Sequence, residues 1–237
     1  MPDSLSTTAT AFATLKDALT RRFPGRIALV SSFGTESAVL LHLVAQIDPT
    51  TPVIFLDTLK LFPETLAYRD TLIARLGLTD VRVISPKPSR LAKFDPDGTL
   101  WQRDADQCCA IRKTNPLDDA LEGFDAWITG RKRAQAATRA HLELVETGAD
   151  GRVTVNPLAF WSDADLTAYF IAHNLPRHPL EAEGYSSIGC ATCTRKPLPG
   201  EDKRSGRWAG SAKTECGIHL PRAMQKPDWP EDFNFEV

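Results

Sequence analysis

The sequence predicts an α/β fold: a parallel sheet with helices on both faces, followed by an irregular C-terminal tail. Three observations carry this. Short apolar runs bounded by Pro, Gly and Asp alternate with segments of helical apolar spacing, the mark of β–α units. The expected strands end in small or polar residues, and ligands of such sheets bind beyond the carboxyl ends of the strands. After Pro176 the periodicity is lost.

Residues 5–22 read as a helix, with Leu5, Phe12, Leu15 and Leu19 at helical spacing, stopped by Pro24-Gly25. Arg26 to Ser31 is a short buried strand and Ser32 to Glu36 its exit loop. Ser37 to Ile47 forms an apolar-faced helix, ended before Pro49. Pro52 to Leu56 is a second strand, with Asp57-Thr58 at its end. Pro63 to Leu76 is a helix with Pro63 in its first turn and Gly77 just past its end. Asp80 to Ile84 is a third strand, and Pro86 to Pro96 is a Pro-rich passage with no assigned structure. Ala105 to Leu121 is helical, and Asp125 to Thr129 is a fourth strand ending in Gly130-Arg131-Lys132-Arg133. Leu142 to Val155 suits a hairpin turned at Ala149-Asp150-Gly151. Ser162 caps a helix through His173, with Asp165 completing a capping box.

At 237 residues the chain suits one sizeable domain with a C-terminal extension. The net charge of −2 gives no global attraction to nucleic acid or an anionic membrane, so any anion site must be a local basic cluster. No apolar run approaches the roughly 18 residues that span a bilayer, and Met1 to Ser6 does not open like a secretory signal. The expectation is a cytoplasmic protein that binds neither nucleic acid nor membrane. In that compartment paired cysteines hold a metal or do redox chemistry more often than they form disulfides.

Five cysteines are present: the adjacent Cys108 and Cys109, the pair Cys190 and Cys193, and Cys216. Adjacent cysteines have poor geometry for a mutual disulfide. The two pairs offer four thiols, and spacing alone leaves iron–sulfur, zinc and a redox disulfide all open. Lys113, four residues after Cys109, shares its helix face if the helix is regular. Arg204, Arg207, Lys203 and Lys213 form a basic run before Cys216. A thiol needs electropositive neighbours to act as a nucleophile, which Lys213, the arginines and His219 could supply and Glu215 opposes. Ser31 to Ser37 joins a strand to a helix, where backbone N–H groups and the helix N-terminus favour an anion; it lacks the Gly-Lys-Ser/Thr ending of a Walker A loop.

Taken together, these segments resemble the assimilatory sulfonucleotide reductases, and within them the adenylyl-sulfate (APS) reductases. The matching motifs run in family order over about residues 26–220. They are Ser-Ser-Phe-Gly-Thr-Glu-Ser at 31–37, Phe-Leu-Asp-Thr at 55–58 and Leu-Phe-Pro-Glu-Thr at 61–65. Cys-Cys-x-x-x-Lys at 108–113, Thr-Gly-Arg-Lys-Arg-x-Gln-x-x-Thr-Arg at 129–139 and Asn-Pro-Leu-x-x-Trp-Ser at 156–162 follow. Gly-Cys-x-x-Cys-Thr at 189–194, Gly-Glu-Asp-x-Arg-x-Gly-Arg-Trp at 200–208 and Glu-Cys-Gly-Ile-His at 215–219 complete the set. The resemblance implies a Rossmann-like, adenine-nucleotide α-hydrolase-type sheet. It implies a 4Fe–4S cluster on Cys108, Cys109, Cys190 and Cys193, and APS rather than its 3′-phosphorylated form, PAPS, as substrate.

By the same resemblance, the adenosine would lie over Ser31, Ser32, Phe33, Gly34, Glu36, Ser37, Leu56 and Gly130. The phosphosulfate would be held by Lys113, Arg204, Arg207 and His219, with the 131–139 loop closing nearby and bringing Arg131 to the substrate. Cys216 would be the nucleophile, with thioredoxin as reductant; a homo-oligomer is compatible with all of this. The implied division is a nucleotide-binding domain over 1–193 and a catalytic extension over 194–237, mobile because Cys216 must meet substrate and then a protein partner in turn. Related ATP pyrophosphatases carry Ser-Gly-Gly-x-Asp-Ser where this chain has Ser-Phe-Gly-Thr-Glu-Ser, which argues against ATP hydrolysis. An ATP-dependent thiolating or adenylating enzyme and a zinc-binding or redox-sensing module are the competing readings. The first would want an intact Ser-Gly-Gly-x-Asp loop, which this chain lacks, and the second requires neither the Arg204–Arg207 pair nor the Cys216–His219 tail.

Overall fold

A computed structural model of the chain describes residues 4–208, 213 and 215–219. Six strands form one sheet in the order β3-β2-β1-β4-β6-β5. They are β1 (Ile27–Ser31), β2 (Val53–Leu56), β3 (Val81–Ile84), β4 (Ala126–Ile128), β5 (Val145–Thr147) and β6 (Val153–Val155). β1 pairs in parallel with β2 and with β4, β2 with β3, and β4 with β6. The expected parallel sheet thus gains an antiparallel edge, because β5 and β6 form the hairpin turned at Gly151, which has φ +80°.

The central strands β1, β2 and β4 bury both faces by simple alternation. Ile27, Leu29, Val53, Phe55, Ala126 and Ile128 point to the larger core. That core is shared with helices α1 (Ser4–Asp17), α2 (Ser37–Ala45), α3 (Pro63–Leu76) and α8 (Asp163–Ala172). Ala28 and Ile54 point the other way, against Leu117 and Leu121 at the end of the long helix that follows β3. α1 runs on through a π-helical turn at Ala18–Arg22. α3 opens on Pro63 and ends at Gly77 with φ +64°, the left-handed stop that a residue without Cβ takes at little cost.

The Pro-rich passage after β3 is ordered into α4 (Pro88–Phe94) and the short α5 (Leu100–Arg103). The helix expected over 105–121 is present in three sections: α6 (Ala105–Cys109), a π-helical turn (Ala110–Thr114) and α7 (Asn115–Ala120). A short α9 (Pro179–Ala182) lies in the stretch after Pro176 that the sequence left without structure. Among the described residues no helix is long and apolar enough to cross a membrane.

The chain leaves β1 toward β2 and β3, then returns to lay β4 on the other side of β1. The sheet's switch point is therefore between β1 and β4. Their carboxyl ends diverge there and open a crevice.

Candidate active site

One cleft occupies that switch point. Its walls include Ser31, Ser32, Gly34, Glu36 and Ser37 from the β1 exit, Leu56 from β2, and Gly130 and Arg131 from the β4 exit. Lys113, Arg204, Arg207 and Cys216 line it as well. Twelve of the expected non-cluster positions thus meet in one place although they span residues 31–216. Two do not join them. Phe33 has φ +48°, which turns its ring away from the cleft; it is fully buried and packs edge-on against Phe55, centroids 5.3 Å apart. His219 ends the single 3₁₀ turn Gly217–His219, but its side chain lies outside the described residues. Residues 220–237 of the expected mobile tail lie outside them too.

The β1 exit is shaped by its own backbone. Phe33 N–H donates to Ser31 Oγ at 3.2 Å, and Ser37 N–H to the Gly34 carbonyl at 3.1 Å. α2 starts immediately afterwards, so its first N–H groups face the cleft. Glu36 is not a lone carboxylate: it accepts from Lys132 Nζ at 2.9 Å and from Gln135 Nε2 at 3.0 Å. Arg131 lines the cleft, yet its guanidinium is held by Glu146 at 2.9 Å and Asn156 at 3.2 Å.

The two cysteine pairs arrive from opposite ends of the chain. Cys108 and Cys109 close α6, whose N-terminus is capped by the Asp104 carboxylate accepting from Gln107 N–H at 2.8 Å. Cys190 is pinned to the β2 exit by a bridge to Leu61, by Ala191 N–H donating to the Lys60 carbonyl at 2.7 Å, and by a 3.2 Å contact with the Thr58 hydroxyl. Cys108, Cys109 and Cys190 are buried, and Cys193 is half-buried. Burial pushes the Cys108 thiol up to about 11, with the nearby Cys190 and Cys193 adding to the rise. Among the described residues no three or more His, Cys, Asp or Glu side chains converge as the ligands of a single metal ion would.

Lys113 lies in the π-helical turn, so the regular i, i+4 register with Cys109 is lost. It nevertheless faces Cys190, Cys216 and Cys109; burial works against its charge, but these thiols outweigh burial and hold the ammonium above its ordinary range. The wider turn rotates Lys113 toward the cleft while keeping it beside the thiols. Cys216, itself buried, is held well below the ordinary thiol range. The Cys109 thiol donating to it is the largest cause; burial opposes, and Lys113, the Ile218 N–H and Arg207 help.

Arg207 is seated by its backbone surroundings. Nη1 donates to the Ile188 carbonyl at 2.9 Å, and the guanidinium lies where a Cβ on Gly189 would stand. Residues 206–208 run back along the second cysteine pair. Arg195 N–H donates to the Gly206 carbonyl and Trp208 N–H to the Cys193 carbonyl, both at 2.9 Å. The expected domain boundary at 193/194 falls inside this pairing. Arg204 is pushed below the usual guanidinium range by burial, with Arg139 and Arg207 adding to it.

Sequence reasoning about single residues missed Arg139 and Glu215 as a pair. Both line the cleft and are joined by two hydrogen bonds, at 2.9 and 2.7 Å. The signal available was only that both fall in the quoted motifs.

A cleft at the switch point of a parallel sheet, walled by a helix N-terminus, cations and a buried thiol, defines an α/β protein suited to an anionic, nucleotide-like ligand. The sequence profile of the phosphoadenosine phosphosulfate reductase domain matches residues 26–196, and the chain belongs to that family. It is 57% identical over 198 residues to the adenosine 5′-phosphosulfate reductase of Mesorhizobium japonicum, covering 84% of this chain and 78% of that protein. It is 54% identical to the protein of the same name from Chelativorans sp., covering 84% of this chain and 81% of the other. The crystal structure of phosphoadenylyl-sulfate (PAPS) reductase from Candida auris, a phosphate complex, superposes with a TM-score of 0.68 at 28% identity. It covers 78% of this chain and 90% of that one.

Proposed function

We propose that this chain reduces adenosine 5′-phosphosulfate to sulfite and AMP, as an oxidoreductase acting on a sulfur group in sulfate assimilation and cysteine biosynthesis. One observation carries the reading: the Cys216 thiol lies in the switch-point cleft beside Lys113 and Arg207, with Arg204 on the same wall. A thiol without cations would be a poor nucleophile at neutral pH, and cations without a thiol would only bind the anion. The names of the Mesorhizobium japonicum and Chelativorans relatives support APS over PAPS.

In this mechanism the α2 N-terminus and the Ser31–Ser37 loop seat the nucleotide, and Lys113, Arg204 and Arg207 grip the phosphosulfate. The Cys216 thiolate attacks the sulfate sulfur. The S–O bond to phosphate breaks, AMP leaves with the electron pair, and Cys216 carries an S-sulfo group. The cations stabilise charge building on the leaving phosphate. A thiolate of reduced thioredoxin then attacks Cys216 Sγ and expels sulfite, giving a mixed disulfide. The second thioredoxin thiol resolves it and regenerates Cys216. Both electrons come from thioredoxin, a chemistry suited to the reducing cytoplasm.

Cys108, Cys109, Cys190 and Cys193 would hold a 4Fe–4S cluster. Their chemistry fits: four thiols, three of them buried, are costly to ionise unless positive charge meets them. A four-iron cluster takes one thiolate per iron, so the sulfurs need not converge on one atom. When bound, the cluster supplies local electrostatics and cross-links the two segments, while Lys113 faces both its ligands and the nucleophile.

The test is a single-turnover reaction with sulfur-labelled APS or PAPS on anaerobically purified protein. Wild type should form a labelled covalent adduct faster with APS, and Cys216→Ser should form none. An adduct on Cys216→Ser, or faster labelling by PAPS, would overturn the assignment. Brown protein with about four irons is the expected cofactor result; a colourless protein with one zinc would remove the cluster from the account.

A further inference from the structure

Glu215, the residue before the nucleophile, places a carboxylate in a cleft otherwise suited to an anion. Its side chain is 11% exposed and that of its partner Arg139 9%. Arg139 Nε and Nη2 donate to the two carboxylate oxygens at 2.9 and 2.7 Å, the fork geometry that makes such pairs strong and directional. The Thr138 hydroxyl adds a longer contact at 3.4 Å, and Arg204 stands 3.8 Å away.

Arg139 is itself oriented from the body of the protein. Its Nη1 donates to Gln135 Oε1, and Gln135 Nε2 donates to Glu36 at 3.0 Å. Glu36 accepts from Lys132, whose side chain is 1% exposed and also reaches Asp163 at 3.3 Å. This polar chain runs from α8 and the start of α2 to the residue next to Cys216. Networks of this kind fix orientation when every member has a partner. The Cys216 segment meets the body through a second ion pair, Lys213 with Asp106, but Asp106 is 75% exposed and solvent screens that pair.

We infer that Arg139 and Glu215 are a positioning pair: the salt bridge docks the Cys216 segment on the cleft and so sets the geometry of the first chemical step. The inference rests on Cys216 being the nucleophile. Arg139 thereby serves the protein's own carboxylate, and the anion of the substrate is left to Lys113, Arg204 and Arg207. The dock has an apolar half as well, since Ile218 packs against the smaller core. Removing the pair therefore loosens the segment without unfolding the chain.

A reporter lies inside the docked segment, because Ile218 N–H donates to Cys216 Sγ. Hydrogen exchange of residues 215–219 is measured by mass spectrometry on the substrate-free, cluster-loaded enzyme. Glu215→Gln and Arg139→Gln are each expected to speed exchange about tenfold or more, the size of a lost hydrogen bond to a charged group. The double variant should exchange little faster than either single one, since the salt bridge is the main interaction that both substitutions remove. In single turnover both variants should form the Cys216 adduct more slowly, while thioredoxin releases sulfite from preformed adduct at the wild-type rate.

Unchanged exchange, or effects of the two substitutions that add, would overturn the pairing. So would an Arg139→Gln variant whose only defect is a raised KM for APS, because that would make Arg139 a substrate ligand. The exchange measurement uses no substrate, so failure of the APS assignment leaves its outcome readable.

Discussion

At the scale of single residues, the environment decides which of several similar groups is useful. Arg131, Arg139, Arg204 and Arg207 all line one cleft, yet Arg131 is held by Glu146 and Arg139 by Glu215. Arg207 is instead laid on Gly189 and a backbone carbonyl, which orients a guanidinium without neutralising it. Burial has a different consequence at His178. Its Nδ1 accepts from Leu180 N–H at 3.2 Å, and Nε2 lies 3.1 Å from the Thr65 hydroxyl, so the ring is built in neutral. Burial lowers its pKa to about 4, with Glu64 opposing weakly.

The sign of the pH effect follows. Between about pH 6.5 and about pH 4 the unfolded chain binds the proton and the folded chain does not, so stability falls as pH falls. This contribution is whole above pH 6.5, and about 3 kcal/mol of it is lost by the time pH reaches 4. Denaturant unfolding of wild type against His178→Asn should show the difference shrinking across that window. A parallel pair of curves would mean the ring is not held neutral.

At the scale of elements, local rules predict most boundaries. Ser162 caps α8 as its spacing suggests: Asp165 N–H donates to Ser162 Oγ at 3.1 Å, and Ser162 N–H to the Asp165 carboxylate at 2.8 Å. Ser162→Ala is expected to lower stability by about 1 kcal/mol, seen as a fall in Tm of about 2–4 °C in a chain of this size. No change would mean the helix start is fixed by burial of Leu166 and Phe170 alone. The helix after Asp104 departs from its periodicity, since apolar spacing does not reveal a π-helical turn. The turn at Ala110–Thr114 shifts the phase between Cys109 and Lys113. The passage over 86–96 was illegible for another reason: prolines stop helices in general but start them at the first turn, as Pro88 does for α4.

At the scale of the whole molecule, the proposed cluster joins two segments that are distant in sequence, and the second of them carries Arg207. Trp208 N–H to the Cys193 carbonyl and Arg195 N–H to the Gly206 carbonyl make that arginine ride on the cysteine loop. Cys193→Ser should therefore do more than lose iron. It should raise KM for APS about tenfold or more, the scale of a misplaced charge-assisted hydrogen bond, as checked by iron analysis alongside steady-state rates. Iron loss with an unchanged KM would separate the loop from substrate binding.

The sequence by itself determined the α/β class, the succession of elements through β3, the strand β4, the hairpin over 142–155, the five thiols and the family motifs. These are short-range properties: alternation, turn residues and caps are written within a few positions of where they act. Only the tertiary structure decided that Phe33 leaves the cleft, that Arg131 is occupied, and that Arg139 meets Glu215. Those outcomes depend on chain reversals at the β1–β4 switch point that bring residues 31, 113, 139, 189 and 216 together. No local spacing encodes which cation in such a crowd finds a carboxylate and which is left for a ligand.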